Sequence, residues 1–90
     1  MTTNDMTVVD VPERQRFELR RDGEVLGYAE YRDIGGDVVE MPHTVISPAH
    51  RGEGLGDVLV AGAVQQLHDR DLGIVPTCWF VADYLQRHPL

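Results

Sequence analysis

The chain has 90 residues, of which 42% are hydrophobic and 26% are charged, and its formal net charge is −7. This length suffices for one domain with a small core. No apolar run approaches the ~20 residues of a membrane span, and the N-terminus lacks the basic and apolar regions of a signal peptide, so we expect a cytoplasmic protein with no membrane partner. The acidic balance also argues against nucleic acid, because its phosphates are bound by basic surfaces.

The first third of the chain predicts a flexible lead-in and a hairpin. Residues 1–13 show no periodicity and are predicted to be mobile. Residues 15–21 alternate apolar and charged side chains and predict a strand. Asp22-Gly23 predicts a two-residue turn into a second strand at residues 24–32.

A third strand is predicted at residues 38–47, with Pro42 interrupting it. Proline cannot donate to a strand ladder, so Pro42 predicts a bulge or an edge at that point. The alternation places His43 on one face with apolar neighbours, namely Val39, Met41 and Val45. This pattern favours a core histidine over a catalytic base.

The second half of the chain predicts two helices and a short strand. Apolar residues recur at helical spacing across residues 54–70, and Gly73 suits the position just beyond the end of that helix. Residues 74–77 predict a fourth strand and residues 79–88 a closing helix, in which Trp79 and Phe80 are expected in the core. The order βββαβα predicts an α+β domain over residues 14–90, with two helices packed on a mostly antiparallel sheet.

Between the third strand and the first helix lies a glycine-rich loop, Arg51-Gly52-Glu53-Gly54-Leu55-Gly56. Glycines allow close approach of the backbone, and the following helix offers free N–H groups to an anion, so the loop predicts a phosphate site. A P-loop is excluded because the chain contains no lysine, and the dinucleotide fingerprint fails because Asp57 occupies the place of its third glycine. The alternative is a glycine-rich helix entry that binds no ligand.

The pattern Arg-x-x-Gly-x-Gly, formed by Arg51, Gly54 and Gly56, resembles the acetyl-CoA pyrophosphate loop of the GNAT-type N-acetyltransferases. The resemblance covers roughly residues 16–90 and is to the small, single-domain GNAT-like subfamily. It also rests on three other segments, which are His43-Thr44-Val45, Pro76-x-Cys78-x-Phe80-Val81 and Tyr84-Leu85-x-Arg87-His88-Pro89.

The resemblance implies a minimal GNAT-like fold that uses acetyl-CoA as co-substrate. It implies that the loop N–H groups bind the pyrophosphate and that Arg51 contacts a phosphate or braces the loop. It assigns the pantetheine arm to the third strand. The implied cofactor-binding residues are therefore Val45, Ile46, Arg51, Gly52, Glu53, Gly54, Leu55 and Gly56.

Three residues are candidates for the chemistry. Cys78 is the sole cysteine and falls at the start of the closing helix, where a thiolate is stabilised, and the resemblance places it beside the thioester; the alternative is a small buried hydrophobe. The resemblance suggests Tyr84 as the acid that protonates the departing thiolate, against simple packing. His43, and with less support Glu40, are candidate bases. The four histidines and one cysteine show no metal-ligand spacing, so no metal is expected.

The function implied by the resemblance is transfer of acetyl from acetyl-CoA to a primary amine, directly or through Cys78. GNAT enzymes usually have two helices between their first and second strands, and these are absent here because Asp22-Gly23 closes that connection. Those helices commonly form a wall of the acceptor site. The rival hypothesis is therefore a non-catalytic acyl-CoA-binding or partner-regulated module, with a homodimer or another protein completing the site.

Overall fold

The computed structural model describes residues 6–89, which fold into a divided sheet covered by two α-helices. Four of its five strand pairings are antiparallel, as predicted. The α+β class is thereby confirmed. The strands are β1 (Thr7–Val11), β2 (Arg16–Arg21), β3 (Glu24–Glu30), β4 (Arg32–Asp33), β5 (Val38–Glu40), β6 (Thr44–Ile46) and β7 (Gly73–Val75), and the helices are α1 (Leu55–Asp69) and α2 (Trp79–Arg87).

Strand β1 lies in the segment that was predicted to be a mobile lead-in, and for residues 7–13 that prediction is wrong. β1 pairs antiparallel with β2 over its full length, from Thr7 opposite Arg20 to Val11 opposite Arg16. A 3-10 turn at Pro12–Arg14 then leads into β2. The remainder of the predicted lead-in, residues 1–5, lies outside the described residues.

The hairpin between β2 and β3 is confirmed. Asp22 and Gly23 have φ angles of 52° and 80°, which is the positive pair that a type I′ turn requires. The predicted second strand is divided, because β3 ends at Glu30 and Arg32 begins β4. Between them the N–H of Tyr31 donates to the carbonyl of Gln15 at 3.0 Å, which continues the register of β2 and β3 by one residue. Since β1 is the first strand of the sheet, the link between the first and second strands is residues 12–15. Within residues 6–89 this link is a single 3-10 turn, so the prediction that Asp22-Gly23 closes it is wrong.

The predicted third strand is divided at Pro42 into β5 and β6. β5 pairs in parallel with β7, whereas β6 pairs antiparallel with β3, so the sheet separates into the sets β1-β2-β3-β6 and β4-β5-β7. The break also ends the predicted common face: Met41 is buried, but His43 and Val45 are exposed. The predicted core position of His43 is therefore wrong.

Helix α1 packs its apolar face on the sheet and supplies much of the core. The helix ends at Asp69, and Asp71 takes the left-handed conformation at φ 59°, so Gly73 is free to begin β7. Neither helix within residues 6–89 combines the length and hydropathy needed to cross a bilayer. The largest fully buried apolar side chains are Phe17, Leu19, Leu26, Met41, Leu59, Leu67, Val60, Val64 and Val81.

Candidate functional site

The glycine-rich loop follows β6 through a 3-10 turn at Pro48–His50 and ends at the first turn of α1. Gly52 and Gly54 have φ angles of 85° and 76°, and a Cβ added to either would meet no atom within 4 Å. Gly54 is the N-cap of α1 and no side chain caps it. Because this capping residue has no side chain, it gives the first N–H groups of α1 no hydrogen bond, and an anion site requires such N–H groups.

A cleft of about 320 Å³ opens beside this loop, between β6 and α2. A Cβ added to Gly56 would lie 2.6 Å from Cζ of Phe80, so this glycine allows α2 to approach α1 closely. The structure brings together six of the eight predicted cofactor residues in the cleft wall. The lining residues are Ile46, His50, Arg51, Gly52, Gly54, Leu55, Gly56, Asp57, Phe80 and Arg87.

The charge of Arg51 is available to a ligand in this cleft. Six of the eight arginines form ion pairs with carboxylates of residues 6–89, and Arg51 is not among them. Arg87 contributes less, because it binds Asp57 at 3.0 Å and Asp83 at 2.9 Å. These two hydrogen bonds, the one to Asp57 first, raise the pKa of Arg87 above its ordinary value.

His50 also lines the cleft, although the sequence offered no reason to single it out. Its Nε2 lies 3.4 Å from Glu24 and its Nδ1 lies 3.5 Å from Glu53, and the side chain is mostly buried. The Nδ1 contact lacks hydrogen-bond geometry, so this buried atom has no hydrogen-bond partner within the described part of the chain. Nδ1 of His50 therefore lies beside Glu53, which is not part of the cleft wall.

Strand β6 presents backbone groups to the gap left by the divided sheet. Its hydrogen bonds to β3 use the carbonyl of His43 at 2.9 Å and the N–H of Ser47 at 2.8 Å. In an antiparallel pair, residues whose backbone groups bond to the partner strand alternate with residues whose backbone groups point away from it. Thr44 and Ile46 are of the second kind, so their backbone groups point away from β3. The side chain of Val45 lies on the other face, in a hollow shared with Tyr28, and the structure does not bring it to the cleft.

Cys78 lies at the N-terminus of α2, where β7 and β6 diverge. Its N–H donates to the carbonyl of Met41 at 3.0 Å, and its Sγ lies 3.7 Å from Oγ1 of Thr44. The residue is only 9% exposed. The sequence did not single out Thr44 as a contact of the cysteine, because the pair is 34 residues apart and forms only through the break at Pro42.

The structure does not place Tyr84 in the wall of the cleft; the residue lies on α2 and packs partly against the core. Helical spacing places it between Phe80 and Arg87, four residues after the first and three before the second. Its ring stacks on His88, with centroids 4.5 Å apart. Trp79, in contrast, is 76% exposed, so the expectation that it lies in the core is wrong; at the first position of α2 it points away from the buried Val81.

The candidate bases lie outside the cleft. His43 lines a separate hollow near the Pro42 break. Glu40 accepts hydrogen bonds from Arg32 and from the Thr77 hydroxyl, and these contacts, that of Arg32 first, lower the pKa of its carboxyl below the ordinary value. A carboxylate stabilised in this way is a weak base. Residues 6–89 contain no group of three or more histidine, cysteine or acidic side chains placed to hold a metal ion.

The chain is similar to known proteins in sequence and in fold. The model of a family described as GCN5-related N-acetyl-transferase matches residues 16–90. The chain is 33% identical over 82 residues to Protein NATD1 of Mus musculus, which covers 87% of this chain and 72% of that protein. It is also 33% identical over 81 residues to Protein NATD1 of Homo sapiens, with 86% and 69% of the two chains covered.

Two solved structures share the fold. One is a GCN5-like protein of Staphylococcus aureus, with a TM-score of 0.64 at 20% identity over 97% of this chain and 82% of that chain. The other is an IAA acetyltransferase of Bacillus cereus, with a TM-score of 0.61 at 14% identity over 81% of this chain and 53% of that chain.

Proposed function

This chain belongs to the GCN5-related N-acetyltransferase family, and on that premise we propose that it binds acetyl-CoA in the cleft beside Gly54 and transfers the acetyl group to a primary amine. The observation that carries the proposal is the N-terminus of α1, which opens onto the cleft without a side-chain cap. The positive φ angles of Gly52 and Gly54 turn the loop, and the open space beside both residues suits a bulky anion.

The residues of the cleft fit the parts of the co-substrate. The N–H groups from Gly52 to Gly56 would hold the pyrophosphate, with the Arg51 guanidinium as a further donor. The outward backbone groups of Thr44 and Ile46 would hydrogen-bond to the amides of the pantetheine arm. This assignment brings the thioester toward Thr44 and Cys78, where β6 and α2 meet.

The reaction needs a nucleophile and an acid at this point. The amine nitrogen attacks the thioester carbonyl carbon, the carbon–sulfur bond breaks, and the thiolate takes a proton from the acid. The proton that the nitrogen loses restores the acid. Tyr84 is the proposed acid, because helical spacing sets it between Phe80 and Arg87, two residues that line the cleft. General acid catalysis is worth roughly 10²–10⁴ in rate, so Tyr84→Phe would lower kcat by that order without weakening binding of CoA. An unchanged kcat would assign Tyr84 to packing.

Cys78 is not required as an acetyl carrier in this scheme. At 9% exposure its sulfur has little room to accept an acetyl group, which favours direct attack by the amine. Cys78→Ser would then keep acetyl transfer within about tenfold of the parent, since an acetyl carrier loses far more with the poorer nucleophile. A loss of three orders of magnitude would establish the carrier role.

Thermal unfolding with CoA tests the proposal as a whole. At a CoA concentration about 100-fold above Kd the gain in stability is roughly 2.7 kcal/mol. For a domain of this size that corresponds to a rise in Tm of about 10–20 °C. No shift at millimolar CoA would remove the basis of the proposal. Release of thiol from acetyl-CoA across a panel of amines then separates an enzyme from a module that binds CoA without turnover.

A further inference from the structure

A second hollow, of about 390 Å³, lies at the Pro42 break and is separate from the cleft beside Gly54. Its walls come from three places in the chain: the turn between β1 and β2, the junction of β3 with β4, and the break itself. We call it the polar groove; the residues that matter here are Arg14, Glu30, Tyr31, Arg32, Pro42 and His43.

The polar groove adjoins the point where the thioester would lie. Pro42 and His43 form part of its wall. The residue before them in the chain is Met41, whose carbonyl accepts a hydrogen bond from the N–H of Cys78 at 3.0 Å. The residue after them is Thr44, whose Oγ1 lies 3.7 Å from the Cys78 sulfur. The groove and the predicted thioester position therefore meet at the break between β5 and β6.

The groove contains one available cation and one available anion. The side chain of Arg14 is 65% exposed, and its ion-pair contact, with Glu18, is long at 3.9 Å. Glu30 forms no ion pair with any residue between 6 and 89. Arg32 is neutralised by Glu40. The Tyr31 hydroxyl donates to Asp10 at 2.6 Å and is not free for a ligand.

From this arrangement we propose that the polar groove is the acceptor site and that its acceptor is a small amine carrying its own carboxylate, of about the size of an amino acid. The inference rests on the proposed function and names the substrate class of that site. Arg14 binds the carboxylate and Glu30 binds the ammonium group. The volume of the groove lies near the lower end of the roughly 300–1,000 Å³ that is typical of small-molecule sites. Such a volume suits an amino acid better than it suits a side chain presented by a folded protein.

His43 completes the assignment as the base. The ammonium nitrogen passes one proton to the imidazole and becomes a nucleophile. The nitrogen then forms the bond to the carbonyl carbon, loses its second proton as the carbon–sulfur bond breaks, and the thiolate gains one. Overall the ammonium and acetyl-CoA give the N-acetyl product, CoA thiol and one proton, which His43 releases to water.

Matched acceptors test the substrate class. Thiol release is measured with an α-amino acid and with its carboxamide, which has the same size and lacks the negative charge. We expect kcat/KM to be at least about tenfold higher for the acid, the usual effect of a hydrogen bond to a charged group. Arg14→Gln should raise KM for the acid by a similar factor and leave KM for the carboxamide unchanged. Arg21→Gln, outside the groove, is the matched control and should alter neither.

The rise in Tm with CoA is measured on the same variants. If the parent uses the carboxamide as well as the acid, or if Arg14→Gln raises KM for both alike, the groove assignment is overturned while the proposed function stands. CoA binding with no turnover on any amino acid also overturns the assignment. If the Tm of the parent protein does not rise with CoA, the proposed function itself is contradicted. This outcome is distinct from failure of the groove assignment alone.

Discussion

Three glycines in the loop occupy their positions for different physical reasons. Gly52 and Gly54 are needed for their positive φ, whereas Gly56 is needed because the ring of Phe80 lies against its Cα. The sequence predicted the loop and its place before α1, since glycine spacing is local information. It could not separate the three roles, because the contact between Gly56 and Phe80 depends on how α2 packs on α1.

Gly54→Val tests whether the loop binds a ligand or only begins a helix. A non-glycine residue at a left-handed position costs roughly 1–2 kcal/mol, and the new side chain would also fill the space beside the N–H groups. Gly23→Val is the matched control, because Gly23 has φ 80° and open surroundings in the β2–β3 turn. We expect both variants to lose similar stability in urea denaturation and only Gly54→Val to lose the Tm rise with CoA. Equal CoA binding by the two would leave the glycines with a structural role alone.

His43 and Trp79 show where reasoning from the pattern of single residues failed. Strand alternation predicted His43 in the core, but Pro42 ends the ladder and the residues after it change face. Trp79 was expected in the core because it is large and apolar, whereas its place at the first helical position turns it 76% to solvent. In both cases the side chain follows the local backbone direction, which composition does not reveal.

At the level of elements, the sequence predicted the two helices, the β2–β3 hairpin and the interruption at Pro42. These have strong local signals: helical periodicity, an Asp-Gly turn and a proline. Strand β1 was missed because its five residues, Thr-Val-Val-Asp-Val, do not alternate cleanly and its pairing is with a strand beyond a turn. An indirect signal was present in Gly62, a glycine in the middle of α1, where helices seldom place one without a packing reason.

Gly62→Ala tests the packing of β1 on α1. A Cβ at this position would collide with the side chain of Val8, whose Cβ would be 2.7 Å away. In an open helix the change would stabilise the protein by about 1 kcal/mol; here we expect a loss of about 1–3 kcal/mol, the usual cost of overpacking. In urea denaturation, the double variant with Val8→Ala should lose less than the sum of the single changes. A gain in stability for Gly62→Ala alone would show that β1 does not pack on α1.

On the scale of the whole molecule, an acidic protein places most of its arginines in ion pairs. Glu18 is the extreme case: it is 2% exposed and lies under Arg16, Arg20 and the more distant Arg14. Burial raises the pKa of the Glu18 carboxyl, but the hydrogen bonds from Arg20 and Arg16 together outweigh it and leave the pKa below the ordinary 4.5. At the other extreme, burial and the hydrogen bond to Asp10 raise the pKa of Tyr31 from 10.0 to about 12.

The two shifts predict opposite limbs of the stability profile. A carboxyl with a lowered pKa in the folded state contributes stability that is complete above its unfolded value of 4.5 and is lost as the pH falls through the folded value. A tyrosine with a raised pKa contributes stability that is complete below pH 10.0 and is lost as the pH rises toward about 12. Urea midpoints across the pH range should therefore fall at both ends. Glu18→Gln should flatten only the acid limb and Tyr31→Phe only the alkaline limb, so each variant is the control for the other. If Glu18→Gln kept the full acid limb, other carboxylates, such as Glu40 beside Arg32, would govern acid unfolding.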